Sequence, residues 1–535
     1  MNDKTTRRDV PTNRLDMLTT RQDVLTTRWS SDRADDRFVV DDPATGRPLA
    51  VVQGGGEAEV DAAVRAAHAG FLSWSRRTPT ERGRLLLEVA RQIRTHADEL
   101  AELLSRENGK SSRDARAFDL ETCIAGFELF ASLTHDMPGA VRDTGYSLDV
   151  TTLQPFGVIG GIIPFNWPPI HTAGKAAPAL AAGNAVVLKP GEQAPLTIMR
   201  LGEIMQSVLP DDVVHVVPGR GPVGAALAGH PLVRKLSFTG ASATGAKVLK
   251  TAADNLTPTL MELGGKNPLV VFEDADLDAA VAGAVEGGYF NKGEACTAAS
   301  RLLVHRSVHD EVVARVAEAV GRLRVGRGLD EATHVGPAVS KSQQQRVLEY
   351  IELGVREGAK ITAQAPLPTD PDLADGFFVP PTLLTGVRPD MRIATEEIFG
   401  AVVCVIPFDD EAEAVEIANG TDFGLVAGVY TADNARALRV SRAIEAGIVF
   451  VNNYNRAIVG TPFGGTKHSG YGREHAAETL REFGYGKTVR LPSGVNPVPR
   501  WAAVDDVLGG DVLGADGLSS DVLGADVLGS DGLGS

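Results

Sequence analysis

Cysteine is scarce in this chain, with three residues in 535. That is too few to build a disulfide framework at this length, so each is read as a small buried apolar group or as a reactive thiol in a reducing compartment. No run of about 18 apolar residues is present to span a bilayer. The opening MNDKTTRRDV lacks the apolar stretch that a secretory signal needs, so the expectation is a cytoplasmic protein with no membrane partner. Positive charge is also in deficit: 53 Lys and Arg face 69 Asp and Glu, a formal net charge of -16. Phosphate backbones are held by clustered Lys and Arg, so nucleic acid is not an expected partner.

What is present is enough apolar material for more than one core. With 43% hydrophobic and 23% charged residues the composition is that of an ordinary globular protein, and the length fits about two to four domains. The two ends differ from the rest. From Arg8 a seven-residue period reads RDVPTNR, LDMLTTR, QDVLTTR, too polar to form a core alone, and residues 1–37 are expected to be a disordered extension. From Asp506 six pentads of the form Asp-x-Leu-x-x follow one another. A solenoid is conceivable, but one Leu per five residues buries too little to offset chain entropy, so 494–535 is expected to be a disordered acidic tail.

Between the ends, Phe38 to Gln53 reads as a hairpin with turn residues between Pro43 and Pro48, and helical periodicity runs from Glu57 to about Leu133. From Phe156 the pattern changes. GVIGGIIP, AVVLKP, VVHVVPG and KLSFTG are short apolar runs, each followed by a helical stretch. Such alternation predicts a parallel sheet covered on both faces, a doubly wound α/β architecture of nucleotide-binding type. NPLVVFEDA and SRLLVHRSV begin a second α/β series.

Several positions could carry chemistry. Gly219 to Gly224, GRGPVG, and Thr239 to Gly245, TGASATG, each follow a predicted strand and open a helix. Either could present free N–H groups to a pyrophosphate, or be a plain tight turn. Lys189 and Glu192 end another strand, where they could hold ribose hydroxyls or form a solvated pair. Cys296 lies in the small, polar segment NKGEACTAA, where backbone N–H groups near the sulfur would lower its pKa and make a nucleophile; an inert buried thiol is the other reading. Cys123 reads as the core face of a helix and Cys404 as an interior strand position. Glu262, among apolar neighbours in LMELGGKN, is a candidate general base, or the partner of Lys266 in a salt bridge. Asn166 in PFNWP is a candidate oxyanion donor, or a turn former.

Taken in order, PFNWP, KPGE, FTGASATG, ELGGK, FNKGEACTAAS, EEIFG and PFGGTKHSGYGRE resemble the aldehyde dehydrogenase superfamily over nearly all of Phe38 to Arg490. The resemblance implies two doubly wound, Rossmann-like domains, one binding NAD (38–138 and 155–261) and one catalytic (262–464). A small bridging element of β-strands (139–154 and 465–493) would make a homodimer or homotetramer. It implies an enzyme oxidising a small-molecule aldehyde to the carboxylic acid with NAD, with Cys296 as nucleophile and Glu262 as general base. Asn166 and the backbone N–H of Cys296 would form the oxyanion hole, and Lys175 and Glu474 a proton relay. Lys189 and Glu192 would hold the adenosine ribose, with Gly221 and Pro222 beside the adenine. The pyrophosphate would lie near Phe238, Thr239, Gly240, Ser242 and Gly245, and Glu397 and Phe399 would position the nicotinamide ribose and ring; Ile163 and Leu263 complete the expected cofactor site. Trp167, His171, Gly174 and Phe463 would line the aldehyde tunnel, and the bare Gly174 suggests a roomy pocket for a bulky or aromatic aldehyde. No Arg is placed in that tunnel to hold a terminal carboxylate, unless the loop Asn452 to Gly460 brings in Arg456. No metal is implied. The sequence departs from the family pattern at Ala241, Glu294 and Ala401, where Ser, Gln and Pro are common. An acylating relative that uses coenzyme A, and an inactive relative that only binds NAD, are the alternatives.

Overall fold

The structure, a computed structural model, describes residues 25–26, 37–454, 458–501 and 503–508. The described residues divide into two compact units. The larger takes in those up to Pro138 together with Leu153–Tyr485; the smaller takes in Gly139–Thr152 and those from Gly486 onward.

Within the larger unit, the apolar runs become strands because residues buried on both faces of a sheet have no side left for water. Val158–Ile162 and Ala185–Lys189 are buried at every position. They lie in a six-stranded sheet ordered Gly470–Tyr471, Thr259–Glu262, Val233–Thr239, Val158–Ile162, Ala185–Lys189, Val214–Val216. All its pairings are parallel except that of Gly470–Tyr471. The order reverses at Val158–Ile162, the first of the strands in the chain, which has Ala185–Lys189 on one side and Val233–Thr239 on the other. A crevice therefore opens beyond the carboxyl ends of Val158–Ile162 and Val233–Thr239, the place where open α/β sheets bind ligands. Helices Pro168–Ala181, Leu196–Val208, Gly221–Gly229 and Ser242–Ala253 make the connections.

A second, seven-stranded sheet runs Lys360–Gln364, Thr382–Thr385, Val402–Phe408, Arg301–His305, Pro268–Val271, Val426–Tyr430, Ile448–Val451. It is parallel but for its first strand. Cys404 is wholly buried in it, and Cys123 is wholly buried in helix Glu121–Ser132; burial pushes both thiols up. The predicted helical stretch is four helices, Glu57–Trp74, Pro79–Thr95, Ala97–Asn108 and Glu121–Ser132. Thr78 and Glu81 cap the second reciprocally, and Gly109, at φ 88°, ends the third in the left-handed turn that glycine tolerates best. Between the third and fourth, Ala115–Leu120 is π-helical, an irregularity that re-aims side chains and concentrates at functional sites.

The structure differs from expectation at three boundaries. The expected bridging element from 465 divides: Thr466–Lys467 pairs with Phe423–Gly424, and Gly470–Tyr471 pairs with Met261–Glu262. Residues 465–483 thus fall in the larger unit, where Thr466–Lys467 and Gly470–Tyr471 complete its sheets. Leu25–Thr26, inside the extension expected to be disordered, pairs parallel to Ala50–Val51 beside the Arg37–Asp42 and Arg47–Gln53 hairpin. Ala503–Leu508, inside the expected disordered tail, is helical; this stretch contains no glycine, and Gly509 follows directly on it. The remaining heptads and pentads lie outside the described residues.

In the smaller unit Gly139–Asp143, Ser147–Pro155 and Gly484–Pro492 form a three-stranded sheet with Ser147–Pro155 central. Arg490 grips Asp149 with two hydrogen bonds of 3.0 Å, and the Thr151 and Thr488 hydroxyls meet at 2.8 Å.

Candidate active site

Cys296 stands where two cavities meet. The polypeptide arrives through Asn291, Lys292 and Gly293, three successive residues with φ of 50°, 62° and 67°, a tight left-handed passage after which Cys296 and Thr297 are partly exposed. On one side is a cavity of about 410 Å³ in the crevice of the six-stranded sheet, lined among others by Asn166, Thr239, Gly240, Leu263, Glu397 and Phe399. On the other is a smaller pocket of about 50 Å³, lined by Phe118, Trp167, His171, Phe463 and His475 among others. Cys296 lines both.

The sulfur does not have the depressed pKa expected of it. Burial, reinforced by the Glu262 and Glu397 carboxylates, pushes the thiol up, and the Cys296 and Thr297 backbone N–H groups that reach it only partly offset this. A thiolate with two carboxylates nearby and little water is disfavoured until a base takes its proton.

Glu262 is placed to be that base. It ends strand Thr259–Glu262, is 2% exposed, and neither carboxylate oxygen has a hydrogen-bond partner. A Cβ on Gly464 would come within 2.8 Å of its Oε1, so the glycine makes room for the carboxylate. Lys266 is not its partner: the Lys266 ammonium is itself buried without a hydrogen bond and pushed down to about 8, chiefly by burial. Burial, with Glu474 nearby, holds Glu262 well above the carboxylate range. Lys175 Nζ donates to Glu474 Oε1 at 3.0 Å, to Thr239 Oγ1 at 2.7 Å and to Ser237 Oγ at 3.1 Å. Burial alone would raise Glu474, but the Lys175 ammonium against it brings it below its ordinary value. One carboxyl pushed towards its protonated form and one pushed towards its ionised form thus lie close together inside the protein, the asymmetry that lets a proton move between them.

Asn166 sits in the Pro164–Trp167 turn ahead of helix Pro168–Ala181 and lines the cavity with Cys296; it is 2% exposed and its Oδ1 has no partner. Trp167 stacks on Phe290 at 5.4 Å and meets Phe118 edge-on at 5.3 Å. The backbone of Phe463 pairs with that of Glu474 at 3.0 and 2.8 Å, which brings the pocket wall and this carboxylate onto one short bridge. His171 is buried with both ring nitrogens unpartnered, and burial holds it down to about 3, neutral at any working pH. Gly174 does not make the pocket roomy. A Cβ there would come within 3.0 Å of His475 and 3.2 Å of Glu474 Oε2; the glycine is bare because these side chains pack onto it. Arg456 lies outside the described residues, and among the described residues no cation lines this pocket.

On the cavity side, the space over Gly221 is open and Pro222 beside it is exposed, as a flat ring lying there would need. Lys189 Nζ is 3.5 Å from the half-exposed Glu192. Gly240 and Ala241 lead into helix Ser242–Ala253, whose amino end faces the cavity, a natural seat for an anion. Ser242 turns its hydroxyl away, donating to the His468 carbonyl at 2.8 Å. Phe238 and Gly245 lie beneath the cavity, the ring under Gly240 and the glycine against Leu263. Ile163 packs its side chain into the core, leaving backbone alone for a ligand. Glu397 Oε1 accepts from the Gly265 N–H at 2.9 Å, and Phe399 is held at φ 62°. Glu294 faces away from both cavities, accepting from the Val339 N–H at 3.0 Å and pairing with Lys292 at 3.0 Å.

The sequence profile of the aldehyde dehydrogenase family matches residues 29–489. The chain belongs to this family. The chain is 53% identical over 481 residues to aldehyde dehydrogenase citD of Monascus ruber, covering 90% of this chain and 96% of that one. It is 40% identical to a betaine aldehyde dehydrogenase of Mesorhizobium japonicum, covering 84% and 93%. Among solved structures, the NAD+ complex of a Bacillus cereus aldehyde dehydrogenase superposes with a TM-score of 0.83 at 38% identity, covering 85% of this chain and 93% of that one.

Against this aldehyde dehydrogenase background, some site residues carry no family motif and were not legible. Phe118, Thr122 and His475 line the smaller pocket. Gln343 and Arg346 reach from helix Lys341–Glu357, donating to the Phe399 carbonyl at 2.7 Å and the Glu397 carbonyl at 2.7 Å. Their i,i+3 spacing on an amphipathic helix was the only signal, and it is shared by any polar face. Among the described residues no helix is long and apolar enough to cross a membrane, and no group of His, Cys, Asp and Glu is placed to hold a metal.

Proposed function

We propose that the protein oxidises an aldehyde to its carboxylic acid with NAD, through a covalent intermediate on Cys296 that Glu262 helps to hydrolyse. The observation that carries this reading is the position of Cys296 at the junction of a cavity with a helix amino end and an apolar, aromatic-lined pocket. The donor set fits a dinucleotide: an open glycine edge at Gly221, Lys189 with Glu192 for a ribose, the Gly240–Ala243 turn for the pyrophosphate, and Glu397 with Phe399 next to Cys296 for the nicotinamide end. NAD bound there supplies the two-electron acceptor that converts a thiohemiacetal into a thioester. The exposed charge of Glu192 would repel a 2′-phosphate, so NAD is favoured over NADP; a larger kcat/KM with NADP would refute this.

The protein's own groups do the rest. Glu262 takes the thiol proton, and the thiolate adds to the aldehyde carbonyl. The new oxyanion is met by the Asn166 amide and the Cys296 N–H, donors whose loss typically costs about 2.7–4 kcal/mol of barrier. In the second half Glu262 takes a proton from water, which attacks the thioester; the acid leaves and the sulfur recovers a proton. Lys175 and Glu474 carry the proton away from Glu262, the neighbouring carboxyl that feels their charges. The aromatic walls favour a flat, aromatic or otherwise apolar aldehyde. Transfer of the acyl group to coenzyme A is the second reading; the buried, unpartnered Glu262 carboxylate, suited to activating water, counts against it.

The test is reduction of NAD and of NADP over a panel of aldehydes, with acid assayed in the absence of coenzyme A. Wild type is expected to give acid and NADH in equal amounts, and Cys296→Ala none. Activity surviving in Cys296→Ala, or NADH appearing only with coenzyme A together with an acyl-coenzyme A product in place of acid, would overturn the mechanism.

A further inference from the structure

The turn that carries Asn166 runs into helix Pro168–Ala181, whose His171 N–H takes the Trp167 carbonyl. The Phe165 and Asn166 carbonyls are held by buried side chains from elsewhere. Asn108 Nδ2 donates to the Phe165 carbonyl at 2.8 Å. Lys110 Nζ at 3.0 Å and Asn291 Nδ2 at 3.2 Å both donate to the Asn166 carbonyl. The Lys110 ammonium also sits 3.9 Å from the centre of the Trp167 ring. The loop that carries Cys296 is tied to the same short segment, because Lys292 Nζ donates to the Asn108 carbonyl at 2.6 Å and to Asn108 Oδ1 at 2.7 Å. Residues 108–110 therefore touch both halves of the oxyanion site. The charge of Lys110 is balanced by Asp119 at 2.6 Å, and the two side chains are 2% and 0% exposed. Asp119 lies on the π-helical stretch Ala115–Leu120, whose preceding residue Phe118 lines the aldehyde pocket. A buried ion pair of this kind is seldom worth more to stability than apolar residues of the same volume. A fixed direction for the carbonyl it grips is something apolar residues cannot supply.

We propose that Lys110, with Asp119 as counter-charge, is a positioning residue of the oxyanion site: by pinning the Asn166 carbonyl it aims the Asn166 amide at the oxygen of the aldehyde held on Cys296. The proposal rests on the reading of Asn166 as an oxyanion donor. Lys110 touches no substrate and acts through Asn166 alone.

The test is a double-mutant cycle on the full-length enzyme. Lys110→Met/Asp119→Leu removes the pair without stranding a charge and is combined with Asn166→Ala. Three quantities are read: the single-turnover burst of NADH, the KM for NAD, and the rate at which iodoacetamide alkylates Cys296. The paired substitution is expected to slow the burst about 10- to 100-fold while KM for NAD and alkylation stay within about twofold, the scatter of uncoupled sites. In the Asn166→Ala background it is expected to have no further effect. Losses that multiply across the cycle, an unchanged burst, or alkylation falling in step with the burst would each overturn the proposal. If Asn166→Ala alone leaves the burst at the wild-type rate, the oxyanion reading of Asn166 has failed, and the proposal falls with it. Should the paired variant show no cooperative melt, Asn291→Ala, which removes the other side-chain donor to the same carbonyl, is carried through the same cycle and judged by the same outcomes.

Discussion

At the scale of single residues, the site works by burying groups that prefer water. In the proposed mechanism Glu262 and Cys296 both act deprotonated, and burial first, then neighbouring carboxylates, raises both. Activity should therefore rise with pH through neutrality instead of levelling off just above the ordinary carboxylate range, which a pH profile of kcat/KM will check. Glu262→Gln removes the proposed base of both halves of the reaction: the NADH burst should slow along with steady-state turnover, each by about 100-fold or more, the usual worth of a general base. The same substitution should stabilise the fold. A carboxyl raised above its unfolded value near 4.5 gives its full stability below that pH and loses it as pH rises, because the native state must then hold or ionise a buried proton. Melting temperatures of Glu262→Gln and wild type should coincide near pH 4 and diverge in favour of the variant towards pH 8. Glu262, Cys296 and Asn166 were legible because each stands in a distinctive block. Their electrostatics were not. The expected lowering of the thiol pKa considered the N–H groups next to it in the chain, and the opposing carboxylates come from positions 34 residues before and 101 residues after it.

At the scale of elements, glycines decide where backbone and carboxylates pass. A Cβ on Gly264 would lie 2.4 Å from Glu397 Oε2, and one on Gly265 would lie 2.6 Å from the Cys296 carbonyl. Gly264→Ala should accordingly displace Glu397 and raise KM for NAD by about tenfold, an overpacking effect of the order of 1–3 kcal/mol. Cys296 should still be alkylated by iodoacetamide at the wild-type rate; saturation kinetics with NAD and an alkylation time course give both values. The strand runs of the first sheet and the helices at Pro168 and Ser242 follow from their sequence patterns. Gly174 shows the opposite case. Its bareness pointed to empty space, whereas His475, brought alongside by the bridge between Phe463 and Glu474, occupies that space.

At the scale of the whole molecule, the smaller unit leaves apolar side chains in water: Val141 is 66% exposed, Val489 47% and Leu491 48%. We expect sedimentation to give a mass that is a multiple of 56.4 kDa, and Val141→Asp/Leu491→Asp to lower it; a wild-type monomer would overturn the expectation. The sequence by itself determined the alternation of strands and helices, the order of the blocks and the candidates for nucleophile, base and oxyanion donor, because burial periodicity and short motifs are local properties of a chain. The tertiary structure alone decided what surrounds them. The sign of the Cys296 shift, the Lys175–Glu474 contact, the grip of Lys110 on the Asn166 turn and the His475 ring over Gly174 all join residues more than fifty apart or set carboxylates against backbone dipoles. Coulomb and steric forces act through space, and only the folded arrangement of both sheets fixes those distances.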